Sequence, residues 1–234
     1  MAENFTYQGK ELELFGKARH WKRYMTRFIS PHISGRVLEA GAGLGNTTEW
    51  MRNSAHQEWI LLEPDPVMAD FLKNKVSPAV TGTKCTVING TIEDAGPAFY
   101  DTIIYIDVLE HIADDKGEIA KAAALLNTGG KLIVLSPAFQ FLFSPFDAAV
   151  GHFRRYSKQE LQQICGPLLK KQDLRYLDTA GFFSSVLNKV LLRQQYPTAK
   201  QIALWDSCLV PISAVTDRLC MYSFGKSLLG IWQK

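Results

Sequence analysis

The 234-residue sequence predicts an α/β fold, an open and mostly parallel sheet with helices on both faces. Three observations predict it. From residue 36 to about residue 137, short apolar runs alternate with longer amphipathic ones, the pattern of strands joined by crossover helices. The short runs are rich in Val, Ile, Leu and Tyr and are bounded by Gly, Pro, Asn or Asp. The first of them leads directly into VLEAGAGLGNTT (37–48), where glycines at 41, 43 and 45 mark a strand-to-helix turn whose backbone something approaches closely.

In chain order, strands are expected over Arg36–Ala42, Glu58–Glu63, Cys85–Asn89, Tyr100–Asp107 and Lys131–Ser136. Helices are expected over Asn46–Asn53, Pro66–Lys75 and Asp114–Leu126, the last stopped by Asn127-Thr128-Gly129-Gly130. Ahead of the sheet, Leu12, Phe15, Ala18, Trp21, Tyr24 and Phe28 recur every three or four residues, which reads as an amphipathic front helix within residues 1–30. Behind it, 174–180 and 221–232 read as a closing strand pair. The apolar insertion between them, Gly181 to Cys220, has helical periodicity broken at Pro197 and Pro211.

Composition removes several function classes. A net charge of +3 without a Lys/Arg block does not suit general binding to nucleic acid. Cys85, Cys165, Cys208 and Cys220 form no CxxC pair and have no histidine at ligand spacing, so neither a zinc site nor a disulfide framework is expected, and a reducing cytoplasm fits. The start, MAENFTYQGKELELF, lacks the basic and apolar regions of a signal peptide, and no run reaches the roughly 18 apolar residues of a membrane span. A cytoplasmic protein without an integral membrane segment is expected, with a peripheral membrane contact left open.

The glycine turn carries the chemistry. Gly41 and Gly43 would permit positive φ and leave no side chain between backbone and ligand, while Gly45 would let the next helix start close against the strand. Glu63, in WILLEPD, lies 18 residues after Gly45, where open α/β sheets place a ribose-binding carboxylate. The spacing is GxGxG, not the GxGxxG of dinucleotide sites, and Glu39 stands two positions before the first glycine. A carboxylate there repels a pyrophosphate and attracts a cation.

With these residues in view, 36–137 resembles the core of the class I S-adenosylmethionine-dependent methyltransferases: VLEAGAGLG, LLEPDP, NGTIED, YDTIIYIDVLEHI and LNTGGKLIVLSP occur in the family's order. The resemblance implies a Rossmann-like, seven-stranded methyltransferase sheet, mostly parallel with an antiparallel last strand. It also implies S-adenosyl-L-methionine as cofactor, with Glu39, Gly41, Ala42, Gly43 and Gly45 at the methionine end, Glu63 and Pro64 at the ribose, Thr91 and Ile92 at the adenine, and Asp107 with Val108 beneath the sulfonium. GHFRRY (151–156) is similar to a bacterial subgroup of these enzymes, which shares the ELELFGKARHWKRY-like front end and an FGKSLL-like closing strand. That subgroup fixes no single acceptor.

Methyl transfer from a sulfonium needs proximity, alignment and sometimes a base, so no nucleophile elbow is required. His111, in DVLEHI, and His152, in the loop after the fifth strand, are the candidate catalytic groups, and His152 has the chemistry of a general base. A competing expectation is that His152 and the arginines pin this loop to Asp147. Glu110 and His111 are adjacent, but no third ligand is identifiable, so no metal site is expected. Arg154, Arg155, Tyr156 and Phe182 are candidate acceptor contacts, the arginines suiting a carboxylate or phosphate. Tyr24 and Trp21, on one face of the front helix, would cover the cofactor or simply pack in the core.

The expected organisation is one domain over 1–234: a front helix (1–30), a cofactor-binding core (31–137), an acceptor-side loop, helix and strand (138–180), a helical lid (181–220) and a closing strand (221–234). The expected activity is methyl transfer to a small-molecule or lipid-like acceptor, at oxygen or nitrogen in preference to carbon. Phe182, Phe183, Leu187, Trp205 and Leu209 make the lid apolar enough to line a pocket, form a homodimer face or touch a membrane. The alternatives are a nicotinamide-dependent oxidoreductase and a non-catalytic S-adenosylmethionine-binding partner protein.

Overall fold

The structure, a computed structural model, describes residues 11–52, 58–76, 84–97, 99–192 and 196–234. Residues 1–10 of the expected front segment and the side chain of Leu12 lie outside these. Seven strands, β1 (Arg36–Ala40), β2 (Glu58–Glu63), β3 (Lys84–Asn89), β4 (Tyr100–Ile106), β5 (Leu126–Pro137), β6 (Lys170–Leu177) and β7 (Ser227–Gln233), form one sheet in the order β3-β2-β1-β4-β5-β7-β6. All pairings from β3 to β5 are parallel, and β7 runs antiparallel to both of its neighbours, β5 and β6. The expected sheet, with its antiparallel last strand, is therefore present.

Ten α-helices surround it: α1 (Glu11–Gly16), α2 (Arg19–Ile29), α3 (Thr48–Met51), α4 (Pro66–Lys75), α5 (Asp115–Leu125), α6 (Pro145–Ala149), α7 (Lys158–Cys165), α8 (Thr179–Leu187), α9 (Ala199–Leu204) and α10 (Val210–Leu219) among the described residues. The central strands read as continuous apolar runs because both faces are covered. Strand alternation sends Leu38, Ile103, Tyr105, Leu132 and Val134 into one core with Ile119 of α5 and Leu161 of α7. It sends Val37, Leu61, Ile104, Ile133 and Leu135 into a second core with Met25 of α2, Leu72 of α4 and Val210 of α10.

Several boundaries differ from expectation for local reasons. Strand β4 stops at Ile106 because Asp107 turns to φ 53°. The closing strand begins at Ser227 because Met221 and Tyr222, at φ 49° and 53°, make a turn first. Pro197 precedes the start of α9, as expected of a breaker, but Pro211 breaks nothing. A π-helical turn over Trp205–Leu209 joins α9 to α10 and widens the ladder just where proline lacks its N–H.

Buried carboxylates fasten the lid. Asp217 accepts hydrogen bonds from the Tyr24 hydroxyl (2.7 Å) and from the amides of Asp178 and Thr179 (2.8 Å each). Asp178 accepts from Gly181 N, Trp205 Nε1 and Ser213 Oγ at 3.0, 2.7 and 2.7 Å. Helix α2 has no local side-chain cap, and Asp206 of the lid accepts from the amides of His20 (3.2 Å) and Trp21 (2.8 Å) instead. These contacts fix α2 and the lid on the ligand edge of the sheet. Outside, the lid leaves Phe183, Leu187, Leu204, Ile212, Val215 and Leu219 exposed.

Candidate active site

At the end of β1, Gly41, Gly43 and Gly45 adopt φ of 63°, 55° and 68°, a region that a side chain disfavours. The space beside two of them is filled by protein. A β-carbon on Gly41 would lie 2.6 Å from Val108 Cγ2, and one on Gly45 would lie 2.6 Å from Leu72 Cδ1 of α4. Gly45 is thus bare for α4, not for closeness between β1 and the helix that follows. The turn forms one wall of a cleft of about 160 Å³, with Glu39 and Asp107 at its floor and Phe15, Trp21, Lys22 and Met25 on the opposite side.

The floor is acidic. Glu39 is buried; Trp59 Nε1 donates to one of its oxygens (3.0 Å) and Thr48 Oγ1 to the other (3.1 Å), and burial pushes its pKa up to about 7 against those bonds. Asp107 opens into the cleft yet is enclosed by protein at depth. That enclosure pushes its pKa up to about 6, opposed by the charges of His152, Lys226 and Arg155. Glu63, buried at the end of β2, accepts from the amides of Gly43 (2.7 Å) and Asp65 (2.9 Å), and burial raises its pKa. It stands beside the turn and outside the cleft wall, as does Pro64, whose carbonyl accepts from Asn89 Nδ2 (3.0 Å).

Three residues expected at the cofactor stand outside the cleft lining. Tyr24 turns away from the cleft because Asp217 holds its hydroxyl, and the neighbours Trp21, Lys22 and Met25 line the cleft in its place. Ile92 is 3% exposed and packs in the sheet core. Thr91 is exposed, but its hydroxyl and amide are engaged with Asp94 in a capping box.

The GHFRRY loop is organised by one carboxylate. Asp147, fully buried, is bonded to His152 Nδ1 (2.8 Å), Arg155 Nε (2.8 Å), Arg155 Nη2 (2.9 Å), and the amide and hydroxyl of Ser144 (2.8 Å each). Burial acts to raise its pKa, but His152 and then Arg155 outweigh burial and hold the carboxyl well below the ordinary range. Arg154 pairs with Asp115 at 2.5 Å and donates to the Ala113 carbonyl, while the buried Tyr156 hydroxyl donates to Asp115 (2.8 Å). Neither side chain lines either of the two cavities at this edge, and both brace the loop against α5. Phe182 packs among Phe139, Phe141, Phe183 and Phe224, and its neighbour Gly181 takes the cavity position.

His111 and His152 meet edge to face at 4.5 Å, and burial, then the His152 charge, lowers the His111 pKa to about 4. Neither lines a cavity wall. Glu110 is fully buried with both carboxyl oxygens unpartnered among the described residues, and burial followed by Asp107 repulsion pushes its pKa far up. Glu110, His111 and His152 bring donor atoms within 4.8 Å of one another, a grouping of three potential ligands that sequence spacing did not reveal. A second cavity, about 190 Å³, lies beyond Phe15, which lines both, and is walled by Arg155, Lys226, Trp205 and parts of α6, α8 and α9.

A family profile described as a methyltransferase domain matches residues 13–179. The chain belongs to the methyltransferase domain family. It is similar to the ubiquinone biosynthesis O-methyltransferase of Vibrio cholerae, 32% identical over 99 residues, 41% of this chain and 39% of that protein. The match therefore spans about two fifths of that curated relative's length. Among solved structures it resembles the putative methyltransferase complex with the Trm112 activator of Haloferax volcanii at TM-score 0.63 and 14% identity, covering 98% of each chain. It also resembles the N-methyltransferase NodS of Bradyrhizobium japonicum bound to S-adenosyl-L-homocysteine, at TM-score 0.55 and 14% identity, over 94% of this chain and 87% of that one.

The methyltransferase is S-adenosyl-L-methionine-dependent, and the nicotinamide alternative falls. The residues present fit that cofactor: the positive-φ glycines Gly41 and Gly43 line a cleft whose floor carries two carboxylates and whose described wall carries the single cation Lys22. Sequence reasoning named Asp147 as one anchor for the loop but passed over Phe15 as the shared wall, Lys22 in the donor cleft and Lys226 in the second cavity. Of these, Lys226 alone had a signal, an isolated cation in the apolar strand segment FGKSLL.

Proposed function

We propose that this methyltransferase transfers a methyl group to an oxygen or nitrogen of a small-molecule or lipid-like acceptor seated in the 190 Å³ cavity. The observation that supports it is the shared wall: Phe15 lines both the cleft at the glycine turn and the second cavity. When bound, S-adenosylmethionine supplies an electrophilic methyl on a sulfonium, activated without help from the protein. Glu39 and Asp107 favour a cation at the cleft floor, and Glu63 would accept from the ribose hydroxyls with the lone pairs its two amide bonds leave free. The lid gives the second cavity apolar wall through Leu187, Ile202 and Trp205. The relative's name, an O-methyltransferase, favours oxygen.

In this reading His152 is a positioning residue. Asp147 fixes Nδ1 as its protonated nitrogen, Nε2 faces Glu110 Oε1 at 3.9 Å, and neither cavity wall includes the ring. Calorimetry with S-adenosylhomocysteine and NADH, then transfer of a labelled methyl to hydroxyl, carboxyl and amine acceptors, tests the function. Binding of NADH alone would reject it. His152→Gln is expected to lower kcat less than tenfold with the pH profile unchanged; loss of an acidic limb would make His152 the base.

A further inference from the structure

The second cavity is apolar over much of its wall, through Phe146, Leu187 and Ile202, yet two cations border it and no carboxylate does among its described lining. Arg155 is 7% exposed and spends Nε and Nη2 on Asp147; its Nη1 is buried with no hydrogen-bond partner among the described residues. A native protein seldom keeps a buried donor unpaired unless something outside the chain accepts from it. Lys226 enters from just before β7 with its Nζ 4.5 Å from the Trp205 ring centroid and 5.7 Å from that of Phe15. Its ammonium makes no hydrogen bond or ion pair among the described residues. Burial lowers its pKa, the Asp178 charge acts the other way, and Arg155 lowers it further. Asp147 balances Arg155 and the Asp178 charge acts on Lys226, but neither carboxylate lines the cavity, so the charged donors that face it are both cationic.

We infer that the acceptor carries an anionic oxygen group, a carboxylate or a phosphate, bound between Arg155 Nη1 and Lys226 Nζ, with its apolar body against Phe146, Leu187 and Ile202. This rests on the cavity being the acceptor site. A guanidinium N–H with a neighbouring ammonium matches an oxyanion in charge and in number of donors. The same contacts would set the acceptor's orientation, leaving its far end to face Phe15 and the donor cleft.

The test uses the protein saturated with S-adenosylhomocysteine and three probes of similar size: benzoate, phenyl phosphate and the neutral benzyl alcohol. At least one anion is expected to bind tenfold or more tightly than the alcohol, and which one does so distinguishes carboxylate from phosphate. Lys226→Met should remove that preference while S-adenosylhomocysteine affinity stays within twofold. Equal binding of all three probes, binding of neither anion, or a Lys226→Met protein that keeps the preference would overturn the inference. Failure of S-adenosylhomocysteine to bind the unaltered protein would instead remove the methyl-transfer reading beneath it.

Discussion

Replacing Glu63 with glutamine separates two tasks that the structure assigns to one carboxylate. Its oxygens accept from Gly43 N at 2.7 Å and Asp65 N at 2.9 Å, tying the glycine turn to the end of β2. A glutamine can accept only one of these and turns an NH2 toward the other, so one amide loses its acceptor at a cost of about 1–3 kcal/mol. For a domain of this size that lowers Tm by roughly 2–10 °C. The ribose would lose a charge-assisted pair as well, so S-adenosylhomocysteine affinity should fall at least tenfold, about 1.4 kcal/mol. Differential scanning calorimetry measures the first effect and isothermal titration the second. A lowered Tm with unchanged affinity would refute the ribose role and leave Glu63 as a brace between β1 and β2.

Tyr24→Phe removes a hydrogen bond to the buried Asp217 carboxylate, so urea unfolding should show a loss of about 1.5–3 kcal/mol. S-adenosylhomocysteine affinity should not change, and a tenfold loss would return Tyr24 to the cofactor site. Glu39 predicts a pH dependence of stability in the ligand-free protein. Its folded pKa of about 7 lies above the ordinary glutamate value, so the folded state holds the proton more tightly. Stability contributed by that proton is full below pH ~4.3 and is lost as pH rises to about 7, by about 3 kcal/mol if unopposed. Glu39→Gln should flatten denaturation midpoints over that interval, and a parallel curve for the two proteins would contradict the assignment.

The sheet was legible because its signals are local. Five apolar runs, their Gly, Pro, Asn and Asp boundaries, and Pro66–Lys75 with Asp65 as its cap are decided within a few residues. What failed was decided by partners far away in sequence. Helix periodicity puts Tyr24 and Trp21 on one face but says nothing of Asp217, 193 positions on, which takes the Tyr24 hydroxyl. Periodicity also reads Pro211 as a stop, whereas a π turn one residue upstream absorbs the missing N–H.

The GHFRRY loop shows the same division at the site itself. Its residue types imply oxyanion binding, but sequence cannot say which charge is already satisfied. Asp147, five and eight positions upstream, takes His152 and two of the Arg155 donors, and Asp115 takes Arg154 and Tyr156. After those pairings one nitrogen of the Arg155 guanidinium remains, and its companion cation, Lys226, stands just before β7, 71 residues further on. A basic motif by itself therefore overstates the number of groups available to bind, because the folded loop satisfies most of its own charges.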